Sequence, residues 1–186
     1  MHCKLTLLLF LTRMMYITDL NKIAADAIKN DDKHVRFRIW LKGKDGDRLD
    51  ELVHDINERV SAAIDCTQCG NCCRSLMVSV NKEDVTRLAR HLNMTEETVR
   101  EKYIEKSGES DEDGEEECIV NTIPCHFLSG NKCSIYEHRF SDCREFPYLH
   151  LPGFQQRLLN VLFNQYKMCP IVYNVVEELK ERMRFR

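Results

Sequence analysis

From residue 16 onward the apolar positions recur with helical spacing. Ile17, Leu20, Ile23, Ala24 and Ala27 fall roughly on one face, which predicts a helix over residues 16–30. The next stretch, HVRFRIWL (34–41), alternates Val35, Phe37, Ile39 and Leu41 with polar residues and predicts a strand. Trp40 breaks that alternation and leaves a helix open. GKDGD then marks a turn. Residues 49–64, LDELVHDINERVSAAI, place Leu49, Leu52, Val53, Ile56, Val60 and Ile64 on an inward face. That amphipathic helix delivers the chain straight into the stretch CTQCGNCC.

Beyond this stretch, SLMVSV (75–80) predicts a short strand or extended segment. Asn81 is placed to cap KEDVTRLARHL, whose Val85, Leu88, Ala89 and Leu92 share a face, and Thr95 to cap EETVREKYIEK. SGESDEDGEEE (107–117) is acidic and lacks apolar side chains, which predicts a solvated, mobile loop. It does not fit the spacing of a calcium-binding EF-hand. SGNK between Leu128 and Cys133 is a turn signal that puts Cys125 and Cys133 at the two ends of a hairpin. A last amphipathic helix is expected near 171–184, with Pro170 in its first turn and Cys169 at its N-terminus. The positive end of that helix should favour a thiolate at Cys169. The expected fold class is α+β, mainly helical, with short strands and a hairpin around a cysteine-ligated metal or iron–sulfur core.

Composition narrows the function classes. A chain of 186 residues with 43% hydrophobic and 31% charged residues suits one globular unit. A net charge of -3 without a dense Lys/Arg tract argues against a nucleic-acid partner. Ten cysteines are several times ordinary usage. Whether they are disulfides or metal ligands depends on the compartment. The apolar run at 5–11 is too short to cross a bilayer and no small-x-small cleavage site follows it. Met14 or Met15 opens the polar helical pattern, so the true start is expected there, with 1–14 a non-native or mobile extension. The expected organisation continues with a helical and strand segment over 15–60, a cysteine-cluster domain over 61–172 and a C-terminal helix over 173–186, all one compact unit. Without export or a membrane span the expected location is the cytoplasm, where thiols stay reduced and clustered cysteines hold metal.

The thiol spacing carries the chemistry. Metal ligation needs deprotonated sulfurs converging from a tight turn, and Gly70 eases the positive dihedral that such a turn requires. The repeated two-residue gap lets Cys66, Cys69 and Cys72 wrap one centre, as C-x2-C-x2-C does in bacterial ferredoxins, whose remaining cysteine is followed by proline. Cys169-Pro170 provides that partner here. C-x-x-C-G also occurs in zinc knuckles, which keeps zinc as the alternative. In an extended segment neighbouring side chains face opposite ways, so Cys73 is expected to leave the triplet and join Cys125, Cys133 and Cys143 at a second site. The eight thiols equal two four-coordinate centres, or one centre plus spare redox thiols. Cys118 is expected to be a plain residue, and His126 and His138 surface residues near ligand positions. Of the basic residues beside the thiols, Arg74, Lys132, Arg139 and Arg144, the pair Arg139 and Arg144 is preferred as charge-balancing support for the centre.

CTQCGNCC, the downstream PCHFLSGNKCSIYEHRFSDCREFP and the late Cys-Pro together resemble the CxxCxxCC cysteine-cluster family of zinc- or iron-chelating domains, also called YkgJ-like. The resemblance covers roughly 61–172. The family pattern is similar to C-P-F-L, C-x-I-Y-x-x-R-P and C-R-x-F-P. His126 and Phe140 replace two of its prolines here, and neither change removes a thiol. The resemblance implies a metal or iron–sulfur centre without a settled reaction. A related cluster in flagellin lysine methylases adds a protein-modifying enzyme to the implications.

Neither a P-loop, a dinucleotide-binding glycine pattern, G-x-S-x-G nor H-E-x-x-H is present. The leading expectation is therefore an iron–sulfur protein, with a 4Fe-4S cluster on Cys66, Cys69, Cys72 and Cys169, serving electron transfer or cluster handling with a redox or protein partner. The rivals are a zinc-stabilised interaction module and an enzyme with an open metal position.

Overall fold

The computed structural model describes residues 16–110 and 116–186. The expected N-terminal extension, with its early apolar run, lies outside the described residues. Three helices open the described chain: α1 (Leu20–Lys29), α2 (Asp31–Lys42) and α3 (Gly46–Ala63). Asp19 caps α1 by accepting from the Asn21 and Lys22 amides, and Asp45 caps α3 by accepting from Arg48 N.

The strand expected at 34–41 is helix α2. Its buried residues are His34, Phe37 and Leu41, which follow helical spacing, whereas Val35 and Ile39 of the supposed inward set are 44% and 65% exposed. Trp40, the residue that broke the alternation, packs against Phe37 and Phe185. Alternation over eight residues was coincidental, and burial against the C-terminal segment decided the conformation.

A short helix α4 (Asn71–Ser75) follows the first cysteines, and then come α5 (Lys82–Leu92) and α6 (Glu96–Tyr103). Asn81 caps α5 in a reciprocal capping box with Asp84, and Thr95 caps α6 through Thr98 N, both as expected. Helix α6 stops at Tyr103 because the chain passes directly into a hairpin, β1 (Ile104–Ser110) against β2 (Glu116–Val120). The acidic segment expected to be a loop therefore contributes residues to both strands. Cross-strand backbone pairing from Ile104↔Val120 outward carries it, without apolar side chains of its own. SLMVSV forms no full strand, only a bridge between Ser79 and Ile119 flanked by Val80 N–Cys118 O and Val120 N–Val78 O bonds.

The expected small hairpin is present as β3 (Leu128–Ser129) and β4 (Lys132–Cys133), with Gly130 at φ 62 in the turn. Helix α7 (Ser141–Glu145) follows, and then α8 (Phe154–Leu159), which runs on as a π-helix over Asn160–Gln165. Helix α9 (Pro170–Arg182) has Pro170 in its first turn and Cys169 as its N-cap. The architecture is the mainly helical α+β class expected, with two small antiparallel two-stranded sheets.

Two apolar cores form. The first joins α1, α2 and α3 to α8, the π-helix and α9, and includes Cys169. The second joins α5, α6, the Ile104–Val120 hairpin end, Phe127, Ile135 and Phe140, with Cys125, Cys133 and Cys143 half-buried on its edge. The cysteines thus lie along the seam between the cores. Among the described residues, no helix is long and apolar enough to cross a membrane.

Candidate metal centre

Cys66–Gln68 is a single 3-10 turn capped by Asp65, whose carboxylate accepts from the Thr67 amide (2.9 Å) and hydroxyl (2.7 Å). Cys69 N then donates to Cys66 O at 3.1 Å. Gly70, at φ 61, turns the chain into α4, which carries Cys72 and Cys73. This corrects the expectation of an extended pair. On a helical turn adjacent side chains diverge by roughly 100° rather than facing opposite ways, and the two sulfurs sit 3.9 Å apart. That separation is far beyond the ~2.05 Å of a disulfide, and Cys66, Cys69, Cys72, Cys73, Cys125, Cys133, Cys143 and Cys169 all carry free thiols.

Backbone contacts lace three distant segments onto this turn. Cys125 N donates to Cys73 O at 2.9 Å, and Asn71 Nδ2 donates to Met168 O at 2.9 Å, next to Cys169. Arg74 donates from Nη1 to Cys69 O and from Nη2 to Gly130 O, each at 2.9 Å, and also reaches Asn131 Oδ1. Asn131 Nδ2 returns a bond to Gln68 O. The β3–β4 turn is so placed directly on the CTQCG loop. Helix α7, which carries Cys143, is anchored by Asp84, 1% exposed, which accepts from the Ser141 amide and hydroxyl. Asp142 accepts from Ser79 N and from the Tyr148 hydroxyl.

Six thiols, those of Cys66, Cys72, Cys73, Cys125, Cys133 and Cys143, line one cavity of about 300 Å³. Cys69 and Cys169 do not line it. Cys169 is buried, within electrostatic reach of Cys66 and Cys69. The thiols surround the cavity rather than closing on one point: among the described residues, no three His, Cys, Asp or Glu side chains are drawn into a set that could hold a metal ion.

Electrostatics groups the thiols into two adjoining neighbourhoods. Burial raises Cys66, Cys69 and Asp65 raise it further, Arg139 pulls it back, and Cys73 of the other group also raises it. Cys169 is pushed up to about 12 by burial, with the Val172 and Ile171 amides opposing and Cys66 and Cys69 adding to the rise. The helix end therefore does not make Cys169 a thiolate by itself, because desolvation outweighs the amides. In the other neighbourhood, Cys143 is pushed up to about 12 by burial and then by Cys73, Asp142, Cys125 and Cys133. Burial also raises Cys125 and Cys133, each next affected by a backbone amide and then by Cys73. The Cys72 and Cys73 sulfurs lie within hydrogen-bond reach and either can donate; the contact and then burial raise Cys72, while the same contact lowers Cys73 against burial. Cys72 senses Cys169 as well as Cys143, so it stands between the groups.

An all-sulfur donor set suits soft or borderline metals, zinc or the iron of a cluster, over hard oxygen-seeking cations. Clustered thiols that repel one another as thiolates are relieved by a cation placed among them. The residues present therefore fit such a group. Arg139 stacks on Tyr136, 4.0 Å from the ring centre, and is the guanidinium that pulls Cys66 and Cys133 down. Arg144 instead donates to Glu137 O and Arg139 O and holds the loop that presents Arg139.

The remaining candidates fall outside. Cys118 packs on the second core, His126 bonds Asn121 Oδ1 at 2.7 Å, and His138 stacks on His91 at 4.1 Å. Sequence reasoning passed over Asn131, Asn71, Asp84 and Tyr148. Each positions a thiol-bearing segment through a backbone or carboxylate bond across more than five residues, and no local pattern signals that.

Fold and site together define a small, mainly helical protein whose thiols converge from several chain segments on the seam between two cores. Residues 65–170 match the model of the CxxCxxCC family, described as "putative zinc- or iron-chelating domain", and the chain belongs to that family. Comparison with curated proteins finds no match, and neither does comparison with solved structures.

Proposed function

We propose that this protein holds an iron–sulfur cluster, of the 4Fe-4S type, and serves electron transfer or cluster handling in the cytoplasm with a redox or protein partner. The observation that carries the reading is the set of six thiols around one cavity of about 300 Å³, with Cys69 and Cys169 beside Cys66. Four thiolates on one zinc ion need little space beyond the ligands themselves, whereas a cluster brings its own sulfide and occupies a cavity. Cys66, Cys69, Cys72 and Cys169 are the first ligand set, of which Cys66 and Cys72 line the cavity while Cys69 and Cys169 would have to reach the centre from beside Cys66. Cys73, Cys125, Cys133 and Cys143 form the second group: Cys125, Cys133 and Cys143 each sense Cys73, although Cys73 also reaches Cys66 and Cys72. Arg139, on the rim, offsets the negative charge a thiolate-bound centre carries. A bound cluster would supply one-electron exchange; the chain supplies the ligands, the half-buried seam and the Arg139 guanidinium beside it.

Anaerobic purification followed by iron, zinc and sulfide analysis tests this. The expected product is brown, with broad visible absorbance and sulfide equal to iron. A colourless protein with stoichiometric zinc and no sulfide would overturn it. That result would favour the second reading, a zinc-stabilised interaction module, which the C-x-x-C-G turn with Gly70 at φ 61 supports.

A further inference from the structure

Helix α2 carries apolar side chains that its packing does not use. His34, Phe37 and Leu41 face the first core, whereas Val35 and Ile39 are 44% and 65% exposed. Val35, Arg38, Ile39 and Lys42 recur at three- and four-residue spacing and so share one side of the helix. Beside it runs α8 with its π continuation, antiparallel to α2. Gln155 Nε2 donates to Leu41 O at 2.8 Å and to Lys44 O at 2.9 Å at one end, and Phe163 meets His34 edge-on at the other. Between the two elements lies a groove of about 350 Å³, lined by Arg38, Lys42, Gln155, Gln156 and Leu159. Leu159 is 58% exposed there. None of these residues lines the thiol cavity. Single exposed aliphatic side chains are ordinary, but here they stand along both sides of one groove.

We infer that this groove is a docking site for an amphipathic helix of a partner protein, one that carries carboxylates beside its apolar stripe. Charge selects the partner. Arg38 and Lys42 line the groove and no carboxylate does. Lys22, Arg59, Arg87, Lys180 and Arg182 each pair with a carboxylate of the chain itself, whereas among the described residues Arg38 and Lys42 pair with none. The acidic residues of α2, Asp31 and Asp32, stand in its first turn, more than one turn before Arg38. The aliphatic side chains provide the area to bury, and the two cations fix register and orientation. A second copy docked through a two-fold axis would bring the cations of both copies together. A bilayer surface is flat and would not fill a groove between two helices. The inference goes beyond the metal-centre reading and does not depend on it.

Fluorescence anisotropy with two labelled peptides tests this on the purified protein. Each peptide has about 15 residues, near the length at which a helix forms in water. Both carry leucine at helical spacing, one with glutamate and the other with lysine at the remaining positions. The glutamate peptide should bind about tenfold more tightly than the lysine one. Arg38→Gln with Lys42→Gln should erase that preference. Ile39→Asn with Leu159→Asn should weaken the glutamate peptide about tenfold, and metal content should stay unchanged in both variants. Equal binding of the two peptides, binding of neither, or a preference that survives the glutamine variant overturns the site. A benzophenone in the leucine stripe gives a readout that needs no variant. Its cross-links should fall on residues 35–42 or 155–159 of the wild-type chain, and cross-links confined elsewhere overturn the inference. Binding to phosphatidylglycerol vesicles without the peptide preference would assign the face to a membrane instead. A dimer in sedimentation that the asparagine variant dissolves would assign it to a second copy. Metal analysis of the same preparation reads the proposed function separately.

Discussion

Gly70 and Asn131, more than sixty residues apart, meet at backbone contact. A Cβ added to Gly70 would lie 2.8 Å from the Asn131 carbonyl oxygen, and Gly70 itself sits at φ 61. The cysteine loop and the β3–β4 turn therefore pack closely at Gly70, where no side chain stands in the way.

Gly70→Ala should accordingly cost about 3 kcal/mol, adding a left-handed dihedral penalty of about 1–2 kcal/mol to the clash with rigid backbone. Gly130→Ala is the control. Gly130 has nearly the same dihedral, φ 62, but nothing lies within 4 Å of its added Cβ. It should lose only about 1 kcal/mol. Urea unfolding of both variants checks the difference, and equal losses would show that the close approach does not matter.

Metal content should follow the two thiol groups. Serine at Cys66, Cys69 or Cys169 should remove one complement of metal, and serine at Cys125, Cys133 or Cys143 the other, while Cys118→Ser keeps both. Elemental analysis per folded chain reads this. If each of the six substitutions empties the protein completely, the thiols serve a single centre.

Removal of the Asp84 carboxylate should loosen helix α7. Asp84 holds Ser141 and pairs with Arg87 while almost fully buried. Asp84→Ala should destabilise by roughly 3–5 kcal/mol, the scale for breaking a buried pair on one side. Asp84→Asn, which keeps one acceptor, should lose less. Thermal unfolding ranks the two, and an unchanged Asp84→Ala midpoint would contradict the anchoring role.

Acid should weaken the first core through His34. This ring is 1% exposed, lies 2.9 Å from Lys180 Nζ and packs on Tyr166. Burial first, then Lys180, lowers its pKa to about 4, while Glu177 opposes and Lys33 adds to the lowering. The unfolded chain, with histidine near 6.5, binds the proton more readily than the fold does. Stability is therefore full above about 6.5, falls as pH drops toward 4, and levels off below, losing on the order of 3 kcal/mol in all. His34→Gln keeps an acceptor for Lys180 without titrating. Its urea midpoint should show a weaker acid slope than wild type between pH 6.5 and 4, and identical slopes would contradict the assignment.

Local signals in the chain were enough for most helices and caps, for the SGNK turn and for the set of clustered cysteines. Helix α3, the Asn81 and Thr95 caps, and Pro170 in the first turn of α9 all depend on residues within one or two helical turns of each other, where sequence spacing is physical spacing. The failures came where distant packing chose between local options. HVRFRIWL satisfies a strand pattern, yet the C-terminal segment buries His34, Phe37 and Leu41 together only on a helix. The acidic stretch has nothing apolar to mark it as strand, and backbone pairing with its other half extends the hairpin.

The sequence by itself determined that the chain presents many thiols at ligand spacing and turns at Gly70, since spacing and dihedral freedom are properties of neighbouring residues. Which thiols share a neighbourhood was decided only by tertiary structure. Cys72 and Cys73 stand 3.9 Å apart on a helical turn, Cys125 is tied to Cys73 by its amide, and Cys169 is buried within electrostatic reach of Cys66. Those relations depend on where Arg74, Asn131, Asn71 and Asp84 pull remote segments together. The same packing decided that Cys169 loses more to burial than it gains from its helix end, because desolvation is set by every element around a group and not by its own.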